Sequence, residues 1–223
     1  MIGVLVPAHN EEQRLRGCLL SLLEAARHPA LNGEPVTVLA VLDSCTDGSA
    51  AIAAELSVAV LPVSARNVGQ ARRAGAQHLL GLGARWLACT DADSRVGPDW
   101  LARQLAFDAE AVCGTVRLDD WSAHAPEVQA RYLRHYQSRE GHRHVHGANL
   151  GICALAYRRA GGFRPLPTDE DVHLVRDLER CGARIVWTHQ TCVTTSARRD
   201  YRAHGGFGAY LESLAELPLA QGE

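Results

Sequence analysis

Lysine is absent from this 223-residue chain, so all 23 basic residues are arginine. Arginine makes bidentate contacts to phosphates, but the abundance of Ala, Gly and Leu makes genomic base composition the simpler source of the bias. A formal charge of -2 gives no general electrostatic drive toward nucleic acid or an anionic membrane. The seven cysteines (Cys18, Cys45, Cys89, Cys113, Cys153, Cys181 and Cys192) include no C-x-x-C pair and are odd in number. Several sit inside apolar runs as small buried residues would, which fits a reduced cytoplasm. No basic segment followed by a cleavable apolar stretch opens the sequence, because Pro7, His9 and Glu11 interrupt the first apolar run. No run approaches the ~20 apolar residues that cross a bilayer, so a soluble protein is expected. No G-x-G-x-x-G follows the first apolar run, which disfavours a dehydrogenase. The first loop, His9-Asn10-Glu11-Glu12, is not a Gly-rich phosphate cradle, so a nucleotidylyltransferase is poorly supported. There is no Pro- or Ser-rich linker, repeat or low-complexity tract.

At 47% hydrophobic, the chain can bury a full core. Ile2–Val6 and Val36–Leu42 are continuous Val-rich runs, the pattern of strands buried on both faces. Between them, Glu11–Ala26 carries a helical stripe at Leu15, Leu19, Leu22 and Leu23. Asp47–Leu56 predicts a helix, Val58–Val63 a strand, Asn67–Leu82 a helix and Trp86–Thr90 a strand. Pro98 suits the first turn of a helix running to about Phe107. Beyond it the pattern is less regular: a strand at Val112–Leu118, a helix at Pro126–Glu140, and a short apolar strand or buried segment at Ile152–Tyr157. A helix at Val172–Cys181 is stopped by Gly182. Arg184–Thr188 and Cys192–Ser196 predict edge strands, and Phe207–Leu217 a terminal amphipathic helix. Alternating strands and helices with short connections predict an α/β fold with a mostly parallel sheet, covered by helices on both faces.

In such sheets ligands bind beyond the carboxyl ends of strands, and three polar signatures follow predicted strands. Val6-Pro7-Ala8-His9-Asn10-Glu11-Glu12 leaves the first strand, placing Glu11 where a carboxylate can meet a ribose or base. It is equally an acid suited to a first helical turn. Leu42-Asp43-Ser44-Cys45-Thr46-Asp47-Gly48-Ser49 leaves the second; Asp43 can accept from the imide N–H of a uracil-like base, while Asp47 is expected to cap the next helix. In Thr90-Asp91-Ala92-Asp93-Ser94-Arg95, two carboxylates one residue apart follow a buried-type strand, suited to one divalent cation. Such a cation, held by one or two carboxylates, takes its other ligands from water and substrate phosphates. A fourth signature, Asp169-Glu170-Asp171, reads on its own as an acidic helix start with Thr168 as a cap.

These stretches, with Asn67-Val68-Gly69-Gln70-Ala71-Arg72-Arg73-Ala74-Gly75 and His146-Gly147-Ala148-Asn149 leading to Gly161-Gly162-Phe163, resemble family-2 glycosyltransferases over about residues 2–200. The resemblance implies a GT-A, Rossmann-like single domain spanning 1–223, with a nucleotide-binding half over about 1–95 and a less regular acceptor-binding half over about 96–223. It implies a nucleoside-diphosphate-sugar donor, with a UDP-sugar favoured through Asp43, a Mn2+ or Mg2+ ion, and transfer of one sugar with inversion. By position, Pro7, Glu11, Asp43, Asn67, Arg72 and Asp91 fall at the donor. Asp93 is the direct metal ligand with Asp91 beside it, and Asp171, next to Glu170, is the catalytic base. His146, Asn149, Arg198 and Arg199 fall near the acceptor or diphosphate.

Some positions depart from the family pattern. His9 fills a slot more often taken by a small or hydroxyl residue, Asn67 and Ala71 stand closer together than usual, and Arg73 replaces a frequent Asn. The Q-x-x-R-W motif of processive synthases is missing; Thr195 to Arg199, followed by Tyr201 and Gly205-Gly206-Phe207, stands in its place. The acceptor is therefore expected to be a small molecule or a peripheral lipid or glycan, and the enzyme cytoplasmic, free or peripheral at a membrane. His142, His144 and His146 alternate, so a strand would point them to one face, but a tetrahedral zinc site lacks its fourth ligand there. A late metal ligand from His189 or His204 is the weaker expectation against a histidine with no site role. The rival readings are a retaining transferase acting on a small phosphorylated acid and a nucleotide-sugar-binding protein without turnover.

Overall fold

The computed structural model describes residues 1–118, 120–199 and 207–216. Strand β1 (Ile2–Ala8) is buried along its whole length. Its alternate side chains serve two cores: Ile2, Val4, Val6 and Ala8 face one side, and Leu5 the other. Two-sided burial is what its unbroken apolar run encodes. Strands β2 (Val36–Asp43), β3 (Ala59–Val63) and β4 (Trp86–Cys89) join it in parallel, with β1 between β2 and β4.

The sheet has seven strands in the order β3-β2-β1-β4-β6-β5-β7, completed by β5 (Ala111–Leu118), β6 (Leu150–Cys153) and β7 (Ile185–Thr195). Only β6 runs antiparallel, pairing that way with both β4 and β5. Helices α1 (Leu15–Ala25) and α4 (Trp100–Ala106) cover one face, and α2 (Ser49–Glu55) lies beside α1. Helices α3 (Val68–Gly81), α6 (Ala154–Arg159) and α7 (Glu170–Arg180) cover the other. A third, small core joins α5 (Pro126–His135) to α8 (Phe207–Glu216) through Val128, Tyr132, Leu211 and Leu214. No helix among the described residues is long and apolar enough to cross a membrane.

Several boundaries differ from the sequence expectation. α1 starts at Leu15 rather than Glu11, because the chain makes a preliminary turn in which the Glu11 carbonyl accepts from the N–H of Leu15. Pro98 stays outside α4, which begins at Trp100 after Asp99. α5 ends at His135 because Tyr136 turns to extended backbone, its hydroxyl accepting from the N–H of Val116 at 2.9 Å. The apolar run at 152–157 is the end of β6 and then α6, the Cys153 thiol capping the helix at the Ala156 N–H. The two expected edge strands are one, β7, paired to β5 across a register shift between Gly114 and Val116. Thr168 does not cap α7; the capping position is Asp169, in left-handed conformation at φ 59° with no side-chain cap bond.

Candidate active site

Strands β1, β2 and β4 finish at one edge of the sheet: Ala8 lies opposite Leu42, and Leu5 opposite Cys89. β1 is also where the chain order reverses, with β2 on one side and β4 on the other, the position at which open sheets bind ligands. The loops leaving β1 and β2 interlock. Asn10 Oδ1 accepts from the Thr46 N–H at 2.8 Å, Glu12 Oε2 from the Gly48 N–H at 2.7 Å, and Asp47 Oδ2 from the Glu12 N–H at 2.9 Å. Asp47 also accepts from the Ser49 N–H at 3.0 Å, but the capping position of α2 is Gly48, with no side-chain cap bond, so Asp47 is not the cap expected from the sequence.

Asp43 is buried, and its carboxylate is turned toward its own chain. Oδ1 accepts from the N–H groups of Ala65 and Arg66 at 2.7 and 2.8 Å, and Oδ2 from that of Asn67 at 2.8 Å. Burial alone would raise its pKa, but these backbone donors outweigh it and hold the group below the usual Asp value. Asn67 is the side-chain cap of α3, accepting from the Gln70 N–H at 2.9 Å. Pro7 is a buried residue of β1.

Arg72 is the centre of the site. It is 2% exposed and reaches three partners from α3. Nη1 donates to the Gly147 carbonyl at 3.0 Å, and Nη2 to Asp91 Oδ1 at 2.5 Å. Nε lies 2.9 Å from Glu170 Oε1, as a charge contact rather than an aligned hydrogen bond. Burial would lower its pKa, but the charges of Asp91 and Glu170 prevail and keep the guanidinium firmly protonated. A side chain at 147 is sterically excluded: a Cβ there would stand 2.5 Å from Arg72 Nη2. The Gly147 N–H donates to Asp171 Oδ2 at 2.5 Å. Arg72 therefore links the carboxylate pair after β4 to the start of α7. It is an internal strut, a role the sequence expectation of a donor contact did not foresee.

The two α7 acids occupy different settings. Glu170 is buried beside Arg72, whereas Asp171 is half-buried. Burial pushes Glu170 up to about 7 against the pull of Arg72, with the Asp171 charge adding to the rise. Asp171 is also raised, by burial first.

Asp93 faces the opposite wall. Its carboxylate lies 3.3 Å from Arg198 Nη2 and 3.4 Å from the hydroxyls of Ser94 and Thr195, which share a 2.8 Å bond. Arg198 also grips Glu11 with two bonds of 2.7 and 2.5 Å. Burial, reinforced by the Asp91 charge, pushes Asp93 up to about 6. A buried carboxylate with raised pKa that draws a guanidinium to itself fits a hard cation. Among the described residues no group of three or more His, Cys, Asp or Glu forms a metal cage.

The remaining candidates lie apart from these carboxylates. Asn149 is an interior brace rather than a surface ligand: its amide donates to the carbonyls of Thr115, at 2.8 Å, and Thr191, and accepts from Trp100 Nε1 at 2.9 Å. His146 bonds the Tyr136 hydroxyl at 2.9 Å, and burial pushes it down to about 3. The rings of His142, His144 and His146 stack, at 5.5 and 6.0 Å between successive centroids, instead of converging their nitrogens on one point. Tyr136 stacks on His144 at 4.3 Å. His189 pairs with Glu140 at 3.2 Å, Arg199 is exposed, and His204, Tyr201, Gly205 and Gly206 lie outside the described residues. Sequence reasoning missed Ser94 and Thr195 at Asp93; their only signal was the place of Ser94 next to Asp93 and of Thr195 three residues before Arg198.

The sequence profile of Glycosyl transferase family 2 matches residues 3–161. The chain belongs to Glycosyl transferase family 2. Solved structures share its fold at low identity. S. aureus TarS 1-349 in complex with UDP-GlcNAc is 13% identical with a TM-score of 0.69, over 92% of this chain and 61% of that one. The mannosyltransferase PcManGT from Pyrobaculum calidifontis, in complex with GDP-Man and Mn2+, is 19% identical with a TM-score of 0.66, over 89% of this chain and 57% of that one. GalNAc-T7 with UDP, GalNAc and Mn2+ is 16% identical with a TM-score of 0.65, over 89% and 44%. The chain thus spans about three fifths or less of the length of these relatives. No curated protein matches it by sequence. The family-2 assignment and the parallel sheet agree with the sequence expectation of a GT-A transferase.

Proposed function

We propose that this glycosyltransferase moves one sugar from a nucleoside-diphosphate sugar, a UDP-sugar in preference, to an acceptor hydroxyl with inversion, assisted by Mn2+ or Mg2+. The observation that carries this reading is the Arg72 network, which ties Asp91, beside the cation position, to Glu170 and Asp171 across the sheet edge. The bound nucleotides of TarS and GalNAc-T7 and the Mn2+ of PcManGT and GalNAc-T7 support the donor class and the metal.

Asp93 and Asp91 are the residues proposed to hold the cation; bound there, it supplies neutralisation of the diphosphate leaving group. Glu11, buried in the β1–β2 crevice and paired with Arg198, is assigned to the nucleoside. Pro7, Asp43 and Asn67 shape that crevice, Asp43 by fixing the backbone of residues 65–67. In the reaction an acceptor hydroxyl attacks the anomeric carbon from the face opposite the diphosphate. The bond from that carbon to the phosphate oxygen breaks, its electron pair leaves with the diphosphate, and the hydroxyl proton passes to Asp171. Glu170 acts through Arg72, as a positioning residue. Arg198 and Arg199 are the cations assigned to the leaving group. A small molecule or peripheral glycan or lipid is the acceptor class.

Calorimetric titration of UDP and then GDP, with and without Mn2+, tests the reading on the wild type and Asp93→Ala. The expected result is Mn2+-dependent UDP binding that Asp93→Ala abolishes. Absence of binding by either nucleotide under every condition overturns it.

A further inference from the structure

Asp171 accepts from two backbone amides: that of Val172 in its own helix, at 2.7 Å, and that of Gly147 from across the site, at 2.5 Å. The Gly147 N–H and the His146 C=O belong to one peptide unit, which is planar. At its other end the His146 carbonyl accepts from the Asn149 N–H at 2.9 Å, and the Asn149 side chain is braced in the interior by Thr115 and Trp100. The direction of the Gly147 N–H is therefore set by where His146 stands. The His146 ring packs edge-on to Phe207 at 5.7 Å, and its Nε2 lies 2.9 Å from the Tyr136 hydroxyl. Tyr136 is a fixed anchor, its ring stacked on Tyr132 at 4.9 Å and on His144 at 4.3 Å. Its hydroxyl accepts from the Val116 N–H at 2.9 Å, which leaves its single proton to be donated to the imidazole. Burial pushes His146 down to about 3 and raises the Tyr136 phenol above its ordinary value, so both stay neutral at neutral pH.

We infer, on the reading of Asp171 as the general base, that Tyr136 and His146 are positioning residues: the hydrogen bond between their side chains aims the Gly147 amide at Asp171 and so sets the orientation of the base. Neither side chain touches the reacting atoms in this role. The coupling is close because nothing separates the peptide from the carboxylate. A Cβ at 147 would stand 3.3 Å from Asp171 Oδ2. The Gly147 carbonyl is held as well, accepting from Arg72 Nη1 at 3.0 Å. Rotation of the 146–147 peptide would carry the amide away from Asp171, and a displacement of ~1 Å at a catalytic group can cost ~10²-fold in rate. The alternation of histidines acquires a local purpose here: His144 holds the face of Tyr136, and His146 takes its hydroxyl.

Hydrogen exchange of the Gly147 amide, followed by NMR in the whole chain without metal or nucleotide, tests the geometry independently of turnover. The variants are Tyr136→Phe, which keeps the ring and removes the hydroxyl, His146→Phe, which removes the acceptor, and the two together. The Gly3 amide, inside β1, is the internal control. Each single variant is expected to speed Gly147 exchange about tenfold, the worth of one hydrogen bond. Gly3 should be unchanged, and the double variant no faster than either single one, since one bond is lost in all three. Turnover is read as UDP release from a panel of UDP-hexoses and UDP-N-acetylhexosamines with Mn2+, water standing in for the acceptor hydroxyl and losing its proton to Asp171. There the variants should lower kcat about tenfold or more, with donor KM within about twofold. Unchanged Gly147 exchange in both single variants, an equal rise at Gly3, or faster exchange with unchanged kcat overturns the inference. A wild type that hydrolyses none of the donors counts against the base reading instead, and exchange alone then decides whether the pair aims the amide.

Discussion

Two adjacent carboxyl groups at the start of α7 are proposed to divide one task. Asp171 is half-buried and keeps a hydrogen bond to the Gly147 N–H, which an Asn side chain preserves. Asp171→Asn is therefore expected to lower kcat ~10²–10⁴-fold, the worth of a positioned general base. Donor KM should stay within about twofold, since the lost interaction belongs to the transition state; steady-state kinetics check both. Glu170 supplies a stability signature instead. Unfolded, its carboxyl releases a proton near pH 4.5, and folded it holds one up to about 7. In between, the native state binds the extra proton, so this contribution is complete below about pH 4.5 and is lost as pH rises through about 7. Glu170→Gln should flatten that fall in the metal-free protein. Urea denaturation at a series of pH values across the window gives the answer, and identical slopes for the two proteins would refute it.

At the scale of elements, the packing of α3 on β1 and β2 places Arg72 at the sheet edge, and Gly75 sets its closeness. A Cβ at 75 would stand 2.2 Å from Leu5 Cδ1 and 2.6 Å from Val41 Cγ2, both in the core. Gly75→Ala is expected to cost ~1–3 kcal/mol through overpacking. Gly81, in the same helix but with nothing within 4 Å of its would-be Cβ, is the control: Ala there should be neutral or stabilising by up to ~1 kcal/mol. Thermal melting of both variants separates close packing from helix propensity; equal losses would count against the packing account. Gly75 was legible in the sequence only as the last residue of the Asn67 to Gly75 stretch. The atoms that demand it belong to residues 5 and 41, beyond the reach of local pattern.

At the scale of the whole molecule, the sequence pattern located the first four strands to within a few residues, because each is a continuous apolar run closed by a polar loop. The three carboxylate signatures fell at strand ends for the same reason. Strand order beyond β4 was not legible, since the insertion of antiparallel β6 between β4 and β5 depends on pairings between distant segments. The join of β6 to α6 was hidden because no turn residue separates them. At the site, residue types were legible but partners were not. Asp43 was visible as an acid after a strand, yet its engagement by the N–H groups of residues 65–67 depends on the fold of a later loop.

The ion pair between Glu11 and Arg198 joins residues 187 positions apart. During synthesis, β1 through β4 and all of α3 emerge from the ribosome before the segment that neutralises Glu11 and Asp93. The nascent chain therefore holds a half-built acidic crevice until Arg198 emerges, and long-range contacts of this kind form late in folding. Maturation of the crevice therefore awaits an arginine 187 positions after Glu11.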